Sequence, residues 1–135
     1  MTEKLTAVEL KWDDDFRFEA TSRGVSMAVD GGKAAALAPM ELLLVSMGAC
    51  SAIDVVDILR KGRQDLEALH VAVSGRRRPE MPRYYEGMTF HFEVRGDVSE
   101  AKARRAVELS FQKYCSVYHT LRRDLDVSWE VSVQP

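Results

Sequence analysis

Apolar and polar residues take turns along the first part of the chain. Leu5, Ala7, Val8 and Leu10 lead to Trp12, Asp13-Asp14-Asp15 makes a turn, and Phe16, Phe18 and Ala20 alternate with Arg17 and Glu19. A period of two predicts half-buried strands. Ser22-Arg23-Gly24 then turns the chain into a third strand, Val25 to Val29, which stops at Asp30-Gly31-Gly32, so the simplest reading is an antiparallel meander.

At Pro39 the pattern changes. A helix tolerates proline in its first turn, and from Met40 to about Arg60 only Gly48 interrupts the helix formers, so one long helix is predicted. Its stretch from Leu42 to Ile53 is apolar or small on every side, which is the pattern of a helix enclosed by protein all round. After Gly62, Leu69, Val71 and Val73 alternate with His70, Ala72 and Ser74, and Phe90, Phe92 and Val94 with His91, Glu93 and Arg95. An arginine-, proline- and tyrosine-rich crossing from Arg76 to Glu86 joins these two strands. Ser99 caps a second helix, Glu100 to about Lys113, in which Ala103, Ala106, Val107, Ser110 and Phe111 recur at helical spacing. Tyr114-Cys115-Ser116 interrupts it. A helical turn from Val117 to Arg123 comes next, and Val127, Trp129, Val131 and Val133 close the chain as a strand. The order is βββ-α-ββ-α-β, an α+β arrangement without internal repeats, and residues 1–135 are expected to form a single domain.

Composition narrows the function classes. With 46 % hydrophobic and 30 % charged residues the chain is globular in type, and 19 basic against 21 acidic residues leave a net charge of -2. A balance so close to neutral gives no global field for a polyanion, so nucleic acid is not an expected partner, although Arg76-Arg77-Arg78 makes a local basic patch. The uncharged run from Leu42 to Ile53 falls short of the roughly 20 residues of a membrane span, and the opening Met1-Thr2-Glu3-Lys4 lacks a signal peptide's apolar region. A cytoplasmic protein without a membrane partner is expected.

The candidate chemistry is thiol chemistry. Cys50 and Cys115 stand too far apart for a CxxC half-site and are too few for a secreted disulfide framework, so they act together only if the fold joins them. No short-range ligand pair exists for zinc, and neither a metal nor a cofactor is expected. Cys115 lies at the start of a helical turn with Lys113, His119, Arg122 and Arg123 nearby in sequence, which favours a thiolate there. His119, four residues on, shares a helical face with Cys115 and is a candidate base. Cys50 has Ser46, Asp54 and Asp57 at helical spacing. Carboxylates disfavour a thiolate, so an activating cation for Cys50 has to come from elsewhere in the fold. His70 and His91 fall on the polar phase of their strands, and Asp13 to Asp15, Arg104-Arg105 and Arg122-Arg123 read as solvated turns and faces.

Several runs together carry a family resemblance: Pro39-Met40-Glu41-Leu42-Leu43-Leu44, Gly48-Ala49-Cys50-Ser51-Ala52-Ile53-Asp54-Val55-Val56, Lys61-Gly62-Arg63-Gln64, Arg105-Ala106-Val107-Glu108-Leu109-Ser110 and Lys113-Tyr114-Cys115-Ser116-Val117. The chain resembles the OsmC/Ohr family of osmotically induced and organic-hydroperoxide-resistance proteins, its YhfA-like branch in particular. The resemblance implies an OsmC-like fold, with a long central helix packed against curved antiparallel sheets in an intertwined homodimer. It also implies a thiol-dependent peroxidase acting on organic hydroperoxides, with Cys50 as peroxidatic thiol, Cys115 as resolving thiol, and a dithiol or lipoylated protein as reductant. The peroxidase members carry a glutamate directly after the motif proline, where this chain has Met40. Glu41 is nine residues before Cys50 and on a straight helix points to the opposite side. Those members also use an arginine from an early strand, and Arg17 and Arg23 are the two near that region. The alternative implied by the same fold is a non-peroxidase redox sensor or small-ligand-binding protein.

Overall fold

The computed structural model describes residues 4–135, and the polar opening Met1-Thr2-Glu3 lies outside the described residues. The chain divides into two compact units, residues 1–43 and 44–135.

The first unit holds a meander of β1 (Glu9–Asp14), β2 (Arg17–Ser22) and β3 (Val25–Asp30), paired antiparallel in that order. Its turns fall where the sequence placed them, with Asp15 and Arg23 in the left-handed region at φ 50° and 53°. The first strand begins only at Glu9, later than the alternation from Leu5 predicts; Ala7 is held instead through its carbonyl, which accepts from Ser22 Oγ at 2.7 Å. Asp30 is buried, and its carboxylate accepts from the N–H groups of Gly32, Ala34 and Ala35 at 2.8, 3.2 and 2.9 Å. These three donors hold the Asp30 carboxyl below its usual range and organise the loop into the long helix.

That helix, α1, runs over Pro39–Lys61. Pro39 stands in its first turn as expected, and Glu41 reaches back to accept from the Ala38 N–H at 2.9 Å, one half of a capping box. By length and apolar content α1 could cross a membrane, contrary to the expectation from its uncharged run alone. In the second unit one stripe of it, Met47, Ser51, Val55 and Leu59, is packed inside protein instead.

The second unit is built on β4 (Asp65–Arg77), β5 (Tyr85–Asp97) and β6 (Asp126–Gln134), with β5 central. Strands β4 and β5 pair antiparallel, Leu69, Val71 and Val73 facing Val94, Phe92 and Phe90 in register. β5 and β6 pair in parallel, which corrects the expectation of antiparallel sheets throughout. The reason lies in the connections. A short loop lets β4 and β5 form a hairpin, whereas the chain between β5 and β6 carries two helices and crosses over the sheet, as parallel pairing requires.

Both hairpin strands are longer than the alternating cores that announced them. Arg76 and Arg77 belong to β4, and the loop is tightened by Arg78, whose guanidinium donates to the carbonyls of Glu80, Met81 and Pro82 and to the Tyr84 hydroxyl. Phe90 and Phe92 on β5 are fully buried, each contributing roughly 1.5–3 kcal/mol over the exposed state. Ala103, Ala106 and Val107 of α2 (Glu100–Leu109) share that core. Ser99 caps α2 as predicted, its hydroxyl accepting from Lys102 N–H at 3.4 Å. Gly48 lets α1 approach β4 closely, since a Cβ there would sit 2.8 Å from Val73 Cγ2.

Candidate functional site

Two segments of the second unit bring the cysteines together. Cys50 is half-buried in the middle of α1, on the helix side next to the packed stripe. Cys115 is fully buried where the second helix breaks. The break is not a simple stop: α2 continues into a π-helical turn, Ser110–Tyr114, closed by the Cys115 N–H donating to the Ser110 carbonyl at 2.8 Å, and α3 (Ser116–Thr120) starts directly after Cys115. The wider turn leaves Ser110 and Phe111, adjacent in sequence, both buried. Phe111 meets the Phe90 ring edge-on at 5.1 Å and the Tyr118 ring at 5.5 Å, which fixes the turn on the sheet.

The two thiols are free and lie near each other. The Cys115 thiol is pushed up from 9.0 to about 11, first by burial and further by Cys50 and the Asp54 carboxylate; the Tyr118 N–H, 3.4 Å from Sγ, works against them. The sequence reading that favoured a thiolate at Cys115 is corrected here. Two of the cations near it in sequence are engaged elsewhere: Lys113 sits over the Tyr114 ring, and Arg122 pairs with Asp124 and stacks on Tyr84 at 3.9 Å. Arg122 is exposed, as read from the sequence, and through these contacts it links the far end of the α3 segment to the β4–β5 loop.

A polar group absent from the sequence reading completes the site. Ser110 Oγ donates to Asp54 Oδ2 at 2.8 Å and lies 3.1 Å from Ser51 Oγ, so α1 and the π turn are joined by hydroxyls beside the thiol pair. Ser51 and Ser110 are both fully buried. Asp54 was visible as a carboxylate one turn from Cys50; nothing in the sequence paired it with Ser110, because that pairing depends on the register of the π turn.

The remaining candidate residues serve the backbone or pair locally. His119 Nδ1 lies 2.9 Å from the Cys115 carbonyl oxygen, which only accepts, so Nδ1 carries the proton and the ring engages the backbone of Cys115. Arg17, in the first unit, pairs with Asp14 at 3.4 Å; Arg23 forms the turn between β2 and β3; and Glu41 caps α1. Among the described residues no group of His, Cys, Asp or Glu is arranged to hold a metal ion. His70 lies 3.6 Å from Glu93 and His91 3.4 Å from Ser132, on the polar face of the sheet.

The sequence profile of the OsmC-like protein family matches residues 31–130. Protein YhfA of Escherichia coli K12 is 40 % identical over 127 residues, covering 92 % of this chain and 95 % of the relative. Among solved structures, a hypothetical protein from Aquifex aeolicus VF5 superposes with a TM-score of 0.87 at 34 % identity, covering 98 % of this chain and all (100 %) of that one. The organic hydroperoxide resistance protein OhrB of Bacillus subtilis shares the fold at a TM-score of 0.67 and 18 % identity, covering 96 % and 98 %. With its profile match, its relatives over nearly the whole length and its α+β fold all in agreement, this chain belongs to the OsmC family.

Proposed function

We propose that the protein is a thiol-dependent peroxidase of the peroxide-stress response, reducing organic hydroperoxides through Cys50 and Cys115. The observation that supports this most is the joining of the two thiols by elements distant in sequence, one on a regular helix and one on an irregular turn. In the reaction the Cys50 thiolate attacks the distal peroxide oxygen, the O–O bond breaks, and the alkoxide takes a proton and leaves as the alcohol. Cys50 is now a sulfenic acid. Cys115 attacks its sulfur, an S–S bond forms, and hydroxide departs and is protonated to water. A dithiol, free or on a lipoylated protein, then exchanges with the disulfide and restores both thiols.

Within the same proposal the working form is a homodimer in the cytoplasm, where thiols stay reduced. The stripe of α1 opposite the packed one includes Val45 and Ile53, 51 % and 67 % exposed, left uncovered by the sheet and helices of the second unit. Apolar surface of this kind fits a second copy. Light scattering should return twice 15.2 kDa.

The decisive experiment is consumption of cumene hydroperoxide with dihydrolipoamide as reductant, compared with hydrogen peroxide. Wild type should turn over, preferring the organic oxidant, and stoichiometric peroxide should leave an intrachain Cys50–Cys115 disulfide by mass spectrometry. The second reading, a redox sensor, is favoured by Met40 at the position of the family's acid and by the protonated state the site imposes on Cys115. A disulfide that forms without turnover, in wild type and in Met40→Glu, would select the sensor.

A further inference from the structure

We propose that Asp54, acting through Ser110, is the positioning residue of the resolving step, fixing Cys115 against Cys50 so that disulfide formation follows oxidation. The inference deepens the Cys50/Cys115 reading and rests on it.

The chain of contacts is short. The Cys115 N–H is bonded to the Ser110 carbonyl at 2.8 Å, and the Ser110 hydroxyl to Asp54 Oδ2 at 2.8 Å. Asp54 stands one helical turn beyond Cys50, so the two residues lie on one face of α1. Cys115 is thereby tied, through one residue, to the helix face that carries its partner thiol. The π turn is a single irregular turn whose closing bond joins Ser110 to Cys115, so an anchor on Ser110 bears directly on where Cys115 sits. A hydrogen bond to an ionised acceptor, shielded beside two fully buried serines, is the strong kind.

The carboxylate does a second thing. The charged and titratable groups facing Cys115 are Cys50 and Asp54 from α1 and Tyr118 and His119 from α3, and the aspartate's charge is among the causes that keep the thiol protonated. Cys115 is thus held near Cys50 and prevented from competing for the hydroperoxide. Once Cys50 is the sulfenic acid, Cys115 gives its proton toward the departing hydroxide as its sulfur bonds to Cys50. One S–S bond forms, one S–O bond breaks, and one water leaves, with no further oxidant.

The test separates the anchor from the charge on the full-length protein. Cys50 oxidation is followed by dimedone trapping and the disulfide by mass spectrometry, after one equivalent of cumene hydroperoxide. Ser110→Ala should leave the first step within about twofold and slow disulfide formation by about tenfold or more, a misplacement effect. Asp54→Asn keeps an acceptor for Ser110. Its disulfide rate at pH 8 should be at least that of wild type, because its rate-against-pH profile should move to lower pH, a readout that loss of packing alone does not produce. Diamide, which drives thiol pairs to disulfides without a sulfenic acid, provides the second arm. If Cys50 ignores the hydroperoxide but diamide still links the pair more slowly in Ser110→Ala, the peroxidase reading fails and the anchor stands. Disulfide formation unchanged in Ser110→Ala and Asp54→Ala with either oxidant overturns the proposal, as does an Asp54→Asn variant as slow as Ser110→Ala with an unmoved pH profile.

Discussion

Cys50 and Cys115 are chemically identical residues in opposite settings. Cys50 is half-buried on a regular helix whose hydrogen bonds leave little room for movement; Cys115 is fully buried on a turn of irregular geometry. Part of the first is open to solvent, and burial holds the proton on the second. The two thiols therefore differ in access and desolvation, set by the elements each residue sits on.

The largest effect expected from breaking this contrast is on turnover. Cys50→Ser should reduce hydroperoxide consumption to background, whereas Cys115→Ser should still consume the first equivalent and then over-oxidise at Cys50, seen as added oxygens by mass spectrometry. Equal loss of the first equivalent in both variants would remove the division of roles. Next comes the ring that seats the π turn. Phe111→Ala should cost about 3–5 kcal/mol in denaturant unfolding, because it empties a site bounded by Phe90 and Tyr118, and should speed alkylation of Cys115 more than that of Cys50.

The proton on Cys115 gives a third effect. In the folded protein its alkylation should keep accelerating up to pH about 11, while in urea-unfolded protein the rate levels off near 9, the ordinary thiol value. The fold prefers the thiol form. This group's contribution to stability is therefore fully present below about 9 and fades as pH rises toward 11. The smallest effect belongs to Arg122→Ala. It frees the far end of the α3 segment from the half-buried Tyr84 and the exposed Asp124, and because Arg122 is itself exposed it should shift the melting temperature no more than an ordinary surface substitution. A melting shift as large as that of Phe111→Ala would show that the loop, and not the aromatic seat, holds Cys115 in place.

The elements legible in the sequence were those announced by a local pattern. Alternation placed β2, β3 and β6, Pro39 placed the start of α1, and Ser99 placed that of α2. The strand ends were harder to read, since Arg76, Arg77 and Gly96 pair in β4 and β5 on cross-strand hydrogen bonds that side-chain alternation does not report. The parallel partner of β5 is a property of the crossover and not of any one strand. At the site, the cysteines carried a recognisable motif, but Ser110 is an ordinary small residue on an amphipathic helix until the π turn aims it at Asp54. Proximity of charge in sequence misled at Cys115, because Lys113 and Arg122 found aromatic partners and burial outweighed them.

The π turn also bears on how such a site changes through descent. Its closing hydrogen bond, from the Cys115 N–H to the Ser110 carbonyl, spans one residue more than an α-helical bond does. Losing a single codon between Ser110 and Tyr114 would let α2 run on as plain helix, rotating the chain beyond it by about 100° and drawing that chain back by about 1.5 Å. The seat of Phe111 on Phe90 and the bond from Ser110 to Ser51 in the packed stripe of α1 would be disturbed with it. Cys115 would face elsewhere. The pairing of the two thiols thus depends on the number of residues in one turn as much as on the cysteines themselves.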